Sequence, residues 1–213
     1  MPSLFKRFKK SLPLITTKNS SYYNRENRIE NLGDLKKVLE AAPKIKAAKT
    51  GTNFTFNNIP LLNIDQKLLI SKFENPVFML DNDSEIKGHK VYFYRESIDY
   101  YRFLIQYHFV NDNFFFATNK ISSVTALSDG DKQKIIDRIN TKYLDQKPGD
   151  NKSLTIKIID PNNSIIFTRD DVYFHINYLA GNKTTKSLID TYTDYIDAPT
   201  LPTGFNDTLE QYI

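Results

Sequence analysis

HKVYFYRESIDYYRFLIQYHFVNDNFFFAT, residues 89–118, is the stretch on which the fold turns. From Tyr101 to Val110 it alternates: Tyr101, Phe103, Ile105, Tyr107 and Phe109 fall on one side, Arg102, Leu104, Gln106, His108 and Val110 on the other. A period of two with one all-apolar side is a strand that packs that side on a core, while the opposite side is mixed. Asn111-Asp112-Asn113 reads as a hairpin turn, since Asn and Asp tolerate left-handed backbone and bond locally, and Phe114 to Thr118 returns as a strand. Upstream, Val91 to Tyr94 reads as a strand and Arg95 to Asp99 as a turn or bulge.

On the C-terminal side, Ser128 is a natural N-cap with Asp131 at the third position, opening a helix to about Leu144. Its buried stripe is Ile135, Ile136, Ile139 and Tyr143. A second meander follows: Leu154 to Ile159, a turn at Asp160-Pro161-Asn162-Asn163, Ile165 to Thr168, and Val172 to Leu179. Ser187 to Ile196 reads as a helix, and the tail offers Phe205, Leu209 and Tyr212 for docking. On the N-terminal side, Phe54 to Leu80 reads as short strands and connections, with apolar runs at Leu68-Leu69-Ile70 and Val77 to Leu80. Before that, Asn31 caps a helix with Leu32, Leu35, Val38 and Leu39 on one face, ended by Pro43. Helices and strands come in blocks, not in strict alternation. The expected fold is therefore α+β: a mainly antiparallel sheet built from two strand meanders, each followed by a helix, with helices on one sheet face. Residues 31–213 form this domain and residues 1–30 a basic arm.

The chain of 213 residues has no cysteine, so it has no disulfide, thiolate nucleophile or thiolate metal site. Its mean hydropathy of −0.48 and lack of a long uncharged apolar run exclude a spanning helix. The N-terminus lacks the pattern of a signal peptide, and the expected location is cytoplasmic. The formal charge of +4 is unevenly spread: the first fifty residues carry about +8 and the rest about −4. Lys6, Arg7, Lys9, Lys10, Arg25 and Arg28 make the arm an electrostatic anchor for a partner.

Motifs for chemistry are absent. No glycine-rich loop cradles phosphate, no dinucleotide fingerprint follows a strand, and Ser122 and Ser123 sit in no nucleophile elbow. Asp81-Asn82-Asp83-Ser84-Glu85 starts like a calcium loop, but Ile86 replaces the turn glycine and Tyr92 the final glutamate, so it reads as a polar turn. No histidine pair has metal-ligand spacing, and neither metal nor cofactor is expected. One candidate ligand site remains, on the polar sides of two strands: Arg102, Gln106, His108, Tyr173, His175 and Asn177 suit a polar or anionic ligand. The leading expectation is a non-enzymatic interaction or assembly protein, engaging a protein partner or its own copy through the arm and an aromatic surface. A ligand-binding protein or enzyme at His108 and His175 is the second, and non-specific nucleic-acid binding through the arm the third.

Overall fold

The computed structural model describes Gly33, Asp34, Lys37, Glu40 and residues 44–197, apart from 85, 124–126, 151 and 171–172, with side chains to 191. The arm residues Lys6, Arg7, Lys9, Lys10, Arg25 and Arg28, the Asn31 cap, Leu32, Leu35, Val38 and Leu39, and the tail from 198 lie outside the described residues. Gly33, Asp34, Lys37 and Glu40 are helical.

The framework is an eight-stranded sheet. In chain order its strands are β1 (Ala48–Lys49), β4 (Phe78–Asp81), β5 (His89–Ile98), β6 (Tyr101–Val110), β7 (Asn113–Ser122), β8 (Lys157–Ile159), β9 (Ile165–Asp170) and β10 (Phe174–Leu179). β2 (Thr55–Phe56) and β3 (Ile59–Pro60) form a separate small hairpin. Across the large sheet the order is β1-β8-β9-β10-β7-β6-β5-β4. Every neighbouring pair is antiparallel except β1 with β8. The helices are α1 (Gln66–Phe73), α2 (Asp129–Leu144) and α3 (Lys183–Asp197). No helix among the described residues is long and apolar enough to cross a membrane.

Local chemistry accounts for the elements. Asn111 and Asp112 both take left-handed backbone, at φ +48° and +63°, as a two-residue hairpin with the twist of its strands requires. Ser128 caps α2: its Oγ accepts from the Asp131 N–H at 3.1 Å and donates to the Asp131 carboxylate at 2.7 Å. Ile136, Ile139 and Tyr143 are buried, as the helical stripe requires. Three consecutive phenylalanines are shared between faces by a β-bulge. Phe109 pairs with Phe114 and His108 with Phe116, so Phe115 is the extra residue. Phe114 joins the main core, while Phe115 and Phe116 both enter the cluster on the opposite face.

Four expectations are corrected. Leu68-Leu69-Ile70 lies in α1, not in a strand, because Asp65 caps a helix there by accepting from the Leu68 N–H at 2.7 Å. Arg95 to Ile98 continues β5, fully paired with β6, and the turn falls at Asp99, whose φ is +54°. The last helix begins at Lys183, four residues early, because Asn182 accepts from the Thr185 N–H at 2.9 Å. Both sheet faces are covered. Face A packs Tyr92, Tyr94, Ile105, Tyr107, Ile176 and Tyr178 against the β2–β3 hairpin, α1 and α2. Face B receives Leu188 of α3 against Val110, Phe115, Phe116 and Leu179.

The turn between β8 and β9 anchors the segment that leads from β1. Buried Asp160 accepts backbone N–H groups from Phe54, Asn162 and Ser164 at 3.1, 2.9 and 2.8 Å. Gly181 lies against the same turn, where a Cβ would overlap the Asn162 carbonyl and the backbone of Asn163 and Ser164. Backbone cannot swing aside as a side-chain tip can, so Gly181→Ala should cost at least about 2 kcal/mol. Gly51→Ala, in open space, should stay within about 0.5 kcal/mol. Urea denaturation of both variants checks this, and equal effects would contradict the close approach.

Candidate functional site

The strand registers sort the charged residues sharply. On face B stand Lys49 of β1, Arg95 of β5, Arg102 of β6, Lys120 of β7, Lys157 of β8 and Arg169 of β9. None of the described strand residues on that face carries a carboxylate. Face A holds Asp81, Glu96 and Asp170 with Lys90. Alternation fixes each of these assignments once the pairings are known.

Four of the six candidate residues are on face B and buried: Gln106, His108, His175 and Asn177. Arg102 is on the same face and exposed; Tyr173, just before β10, is 41% exposed. They do not converge on one point. β7 lies between β6 and β10, so one row reads Gln106–Thr118–Asn177 and the next Leu104–Lys120–His175–Arg169. His108 belongs to the row of Phe116 and Leu179. His108 and His175 are therefore about 10 Å apart across the sheet and about 13 Å along it.

Sequence reasoning missed Lys120, Arg169, Arg95 and Thr118. Their positions were legible as alternation within each strand, but their meeting with His175 depends on β7 pairing with β10. Lys120 is only 6% exposed and its ammonium sits 3.9 Å from the centre of the Tyr173 ring. A desolvated cation gains from that ring face.

The three histidines are neutral at physiological pH. His175 is pushed down to about 3, first by burial and then by the Arg169 and Lys120 charges. His89 is lowered to about 4 by burial, offset in part by Asp81. His108 is pushed well below the usual range by burial and by His89. These two rings form a directed chain. Asn82 Nδ2 donates to His89 Nδ1 at 3.1 Å, which leaves the His89 proton on Nε2 to donate to His108 Nδ1, also at 3.1 Å. The planes differ by 16° with centroids 5.4 Å apart, so the rings lie edge to edge, as that hydrogen bond demands. The His108 proton is then on Nε2, which is buried among Phe115 and Phe116.

The polar turn between β4 and β5 is internally satisfied: Asp83 accepts from the Gly88 N–H at 2.6 Å, and Asp81 from the Asp83 N–H at 3.1 Å. Among the described residues no group of three or more His, Cys, Asp or Glu could hold a metal ion.

The end of the sheet at the β5–β6 turn is aromatic and basic. Ile98, paired with Tyr101 on face A, and Tyr100 in the turn are 50% and 49% exposed, while Arg95 and Arg102 stand exposed on face B. The Tyr100 hydroxyl donates to Asp131 at 2.8 Å, fixing its ring to the start of α2. The Ser128 hydroxyl first, then that of Tyr100 and the Lys134 ammonium, hold the Asp131 carboxyl down at about 2.

No family model, no curated protein and no solved structure matches this chain.

The neutral histidines set a sign for stability against pH. Their folded values lie below the unfolded value of about 6.5, so the unfolded chain binds protons that the native chain refuses. Stability should be full above pH 7 and fall as pH drops from about 6.5 toward 4, approaching about 1.4 kcal/mol per pH unit for each histidine. Urea denaturation across pH 5–8 checks this, with His175→Gln expected to remove one proton from the slope. A flat profile between pH 5 and 7 would contradict the buried neutral state.

Proposed function

We propose that this chain is a non-enzymatic interaction protein that engages an acidic segment of a protein partner. The observation that carries this reading is the cationic face B, with no carboxylate among its described strand residues and with the exposed Tyr173 ring seated on Lys120. Aromatic residues and arginine are the groups favoured at the centres of protein interfaces. Arg95 and Arg102 are exposed there and match carboxylates with planar, two-pronged donors. The basic arm, through Lys6, Arg7, Lys9, Lys10, Arg25 and Arg28, adds long-range attraction for the same kind of partner. Catalysis is not part of this reading, because the histidines are neutral and buried, and His175 stands away from the hydrogen-bonded His89–His108 pair.

Fluorescence anisotropy of a labelled oligo-glutamate peptide containing one phenylalanine tests the reading on the full chain. Binding should weaken at least about tenfold in Arg95→Glu/Arg102→Glu, since like charges at an interface cost several kcal/mol. Arm reversal at Lys6, Arg7, Lys9 and Lys10 should mainly slow association. Peptide binding indifferent to both sets of substitutions would overturn the reading. So would tight, steeply salt-dependent binding of a short DNA duplex in place of the peptide, which is the signature of nucleic-acid binding.

A further inference from the structure

We propose that the outer edge of β4 pairs with the same edge of a second copy of this chain, joining two eight-stranded sheets across a twofold axis at Leu80. The inference stands on β4 alone and does not depend on what face B binds. Four observations lead to it.

The direction of the peptide groups comes first. β4 ends the sheet, and among the described residues no strand lies beyond it. In an antiparallel ladder alternate residues bond to alternate sides. The Asn82 N–H donates to the His89 carbonyl at 2.9 Å, so Leu80 and Phe78 face β5 in the same phase, opposite Val91 and Phe93. Met79 and Asp81 therefore turn both N–H and C=O away from β5. The run stops at Val77, whose N–H donates to the Phe93 carbonyl at 2.8 Å, and at Pro76, which has no N–H.

Self-complementarity is the second. A twofold contact sets residue i against j and j against i. With the axis at Leu80, Met79 of each copy lies opposite Asp81 of the other, and all the outward groups of both residues pair. An axis one residue away, at Met79, sets Asp81 against Val77, whose N–H is already given to Phe93.

Side chains are the third. Met79 is 51% exposed, more than any other large hydrophobic residue among those described, and stands on face A beside Tyr92. Leu80 is half-buried on face B, against the cluster of Phe78, Val91, Phe93 and Leu104. Across the axis Leu80 meets its own copy as a non-hydrogen-bonded pair, whose side chains come closest in an antiparallel ladder, and the cluster continues into the second copy. Asp81 neighbours Lys90 in its own sheet and Met79 across the axis, so no like charges stand directly opposite.

The choice of edge is the fourth. Lysine and proline blunt exposed edges, and β4, Phe78–Asp81, has neither. The opposite edge of the sheet is β1, only two residues long and ending in Lys49. Pairing β1 with β4 would make fewer bonds and an open chain of copies, whereas the twofold pair closes. In that pair each face continues into the same face of the second copy, so Arg95 and Arg102 of both copies look out from one surface.

The absence of cysteine allows a direct test of register in the full chain. Leu80→Cys should give a disulfide-linked dimer under mild oxidation, because its paired Cα atoms lie about 4.5 Å apart. Met79→Cys should link far more slowly, since its two copies stand on a diagonal. Sedimentation velocity of the unlinked chain should show a monomer–dimer equilibrium in the micromolar range, as suits a small interface. Met79→Asp, which sets carboxylates opposite Asp81, should weaken the dimer at least about tenfold, and adding Asp81→Lys should restore it. Melting curves like the parent's report intact folds. Equal linking of the two cysteine variants, or a dimer that Met79→Asp leaves unchanged or Asp81→Lys fails to restore, overturns the proposal. Assemblies growing beyond the dimer also overturn it, making β1 the occupant. A chain that stays monomeric through the micromolar range does the same, and slow exchange of the Met79 and Asp81 amides in that monomer would make another segment of the same chain the occupant.

Discussion

The pairing of β7 with β10 is the constraint on which the rest depends. Six consecutive pairs, from Phe174–Ile121 to Leu179–Phe116, join the strands before α2 to the strands after it. Without this junction β10 and β7 would each present an edge of unpaired peptide groups, which proteins cover or blunt. With it, two faces run continuously across eight strands. The junction also fixes face identity, because a slip of one residue would exchange every side chain of β8, β9 and β10 between faces. Ile176 and Tyr178 would leave the aromatic core, and His175 and Asn177 would enter it.

The two faces solve the burial problem in different ways. Face A is an aromatic core in which polar tips find partners at its rim: Asn57 donates to the Tyr107 hydroxyl at 3.0 Å, and the Tyr143 hydroxyl donates to the Thr55 carbonyl at 3.1 Å. Phe56 packs between Tyr107 and Tyr178 at ring distances of 5.2 and 4.6 Å. Face B buries Gln106, Thr118, Asn177, three histidines and one cation, Lys120, where desolvation penalises charge. Imidazoles escape that penalty by staying neutral, as His89, His108 and His175 do. Lysine and arginine cannot escape it so readily and gain from anionic or aromatic company; Tyr173 supplies the aromatic part for Lys120.

Much of the fold was legible locally. The alternation from Tyr101 to Val110 placed Ile105, Tyr107 and Phe109 in the core, Asn111-Asp112 marked its turn, and Ser128 marked the start of α2. The misread parts are those where neighbours decide. Leu68-Leu69-Ile70 suits strand or helix by composition, and the Asp65 cap settles it; Asp65, three residues before Leu68, was the available signal. Arg95 to Ile98 looks like a turn by its polarity, yet a partner strand on β6 extends it. Of the candidate site, alternation correctly grouped Gln106 with His108 and His175 with Asn177 within their own strands. It could not show that β7 stands between them, and so could not find Lys120 and Thr118, which long-range pairing alone brings to that face.

Amide hydrogen exchange of the full chain tests the β7–β10 junction most directly. The amides that bond β7 to β10, among Phe116–Ile121 and Phe174–Leu179, should be among the slowest in the protein and open with one common free energy equal to that of global unfolding. Exchange of β8, β9 and β10 through a separate, cheaper opening that leaves β5, β6 and β7 protected would contradict a single sheet locked at this junction.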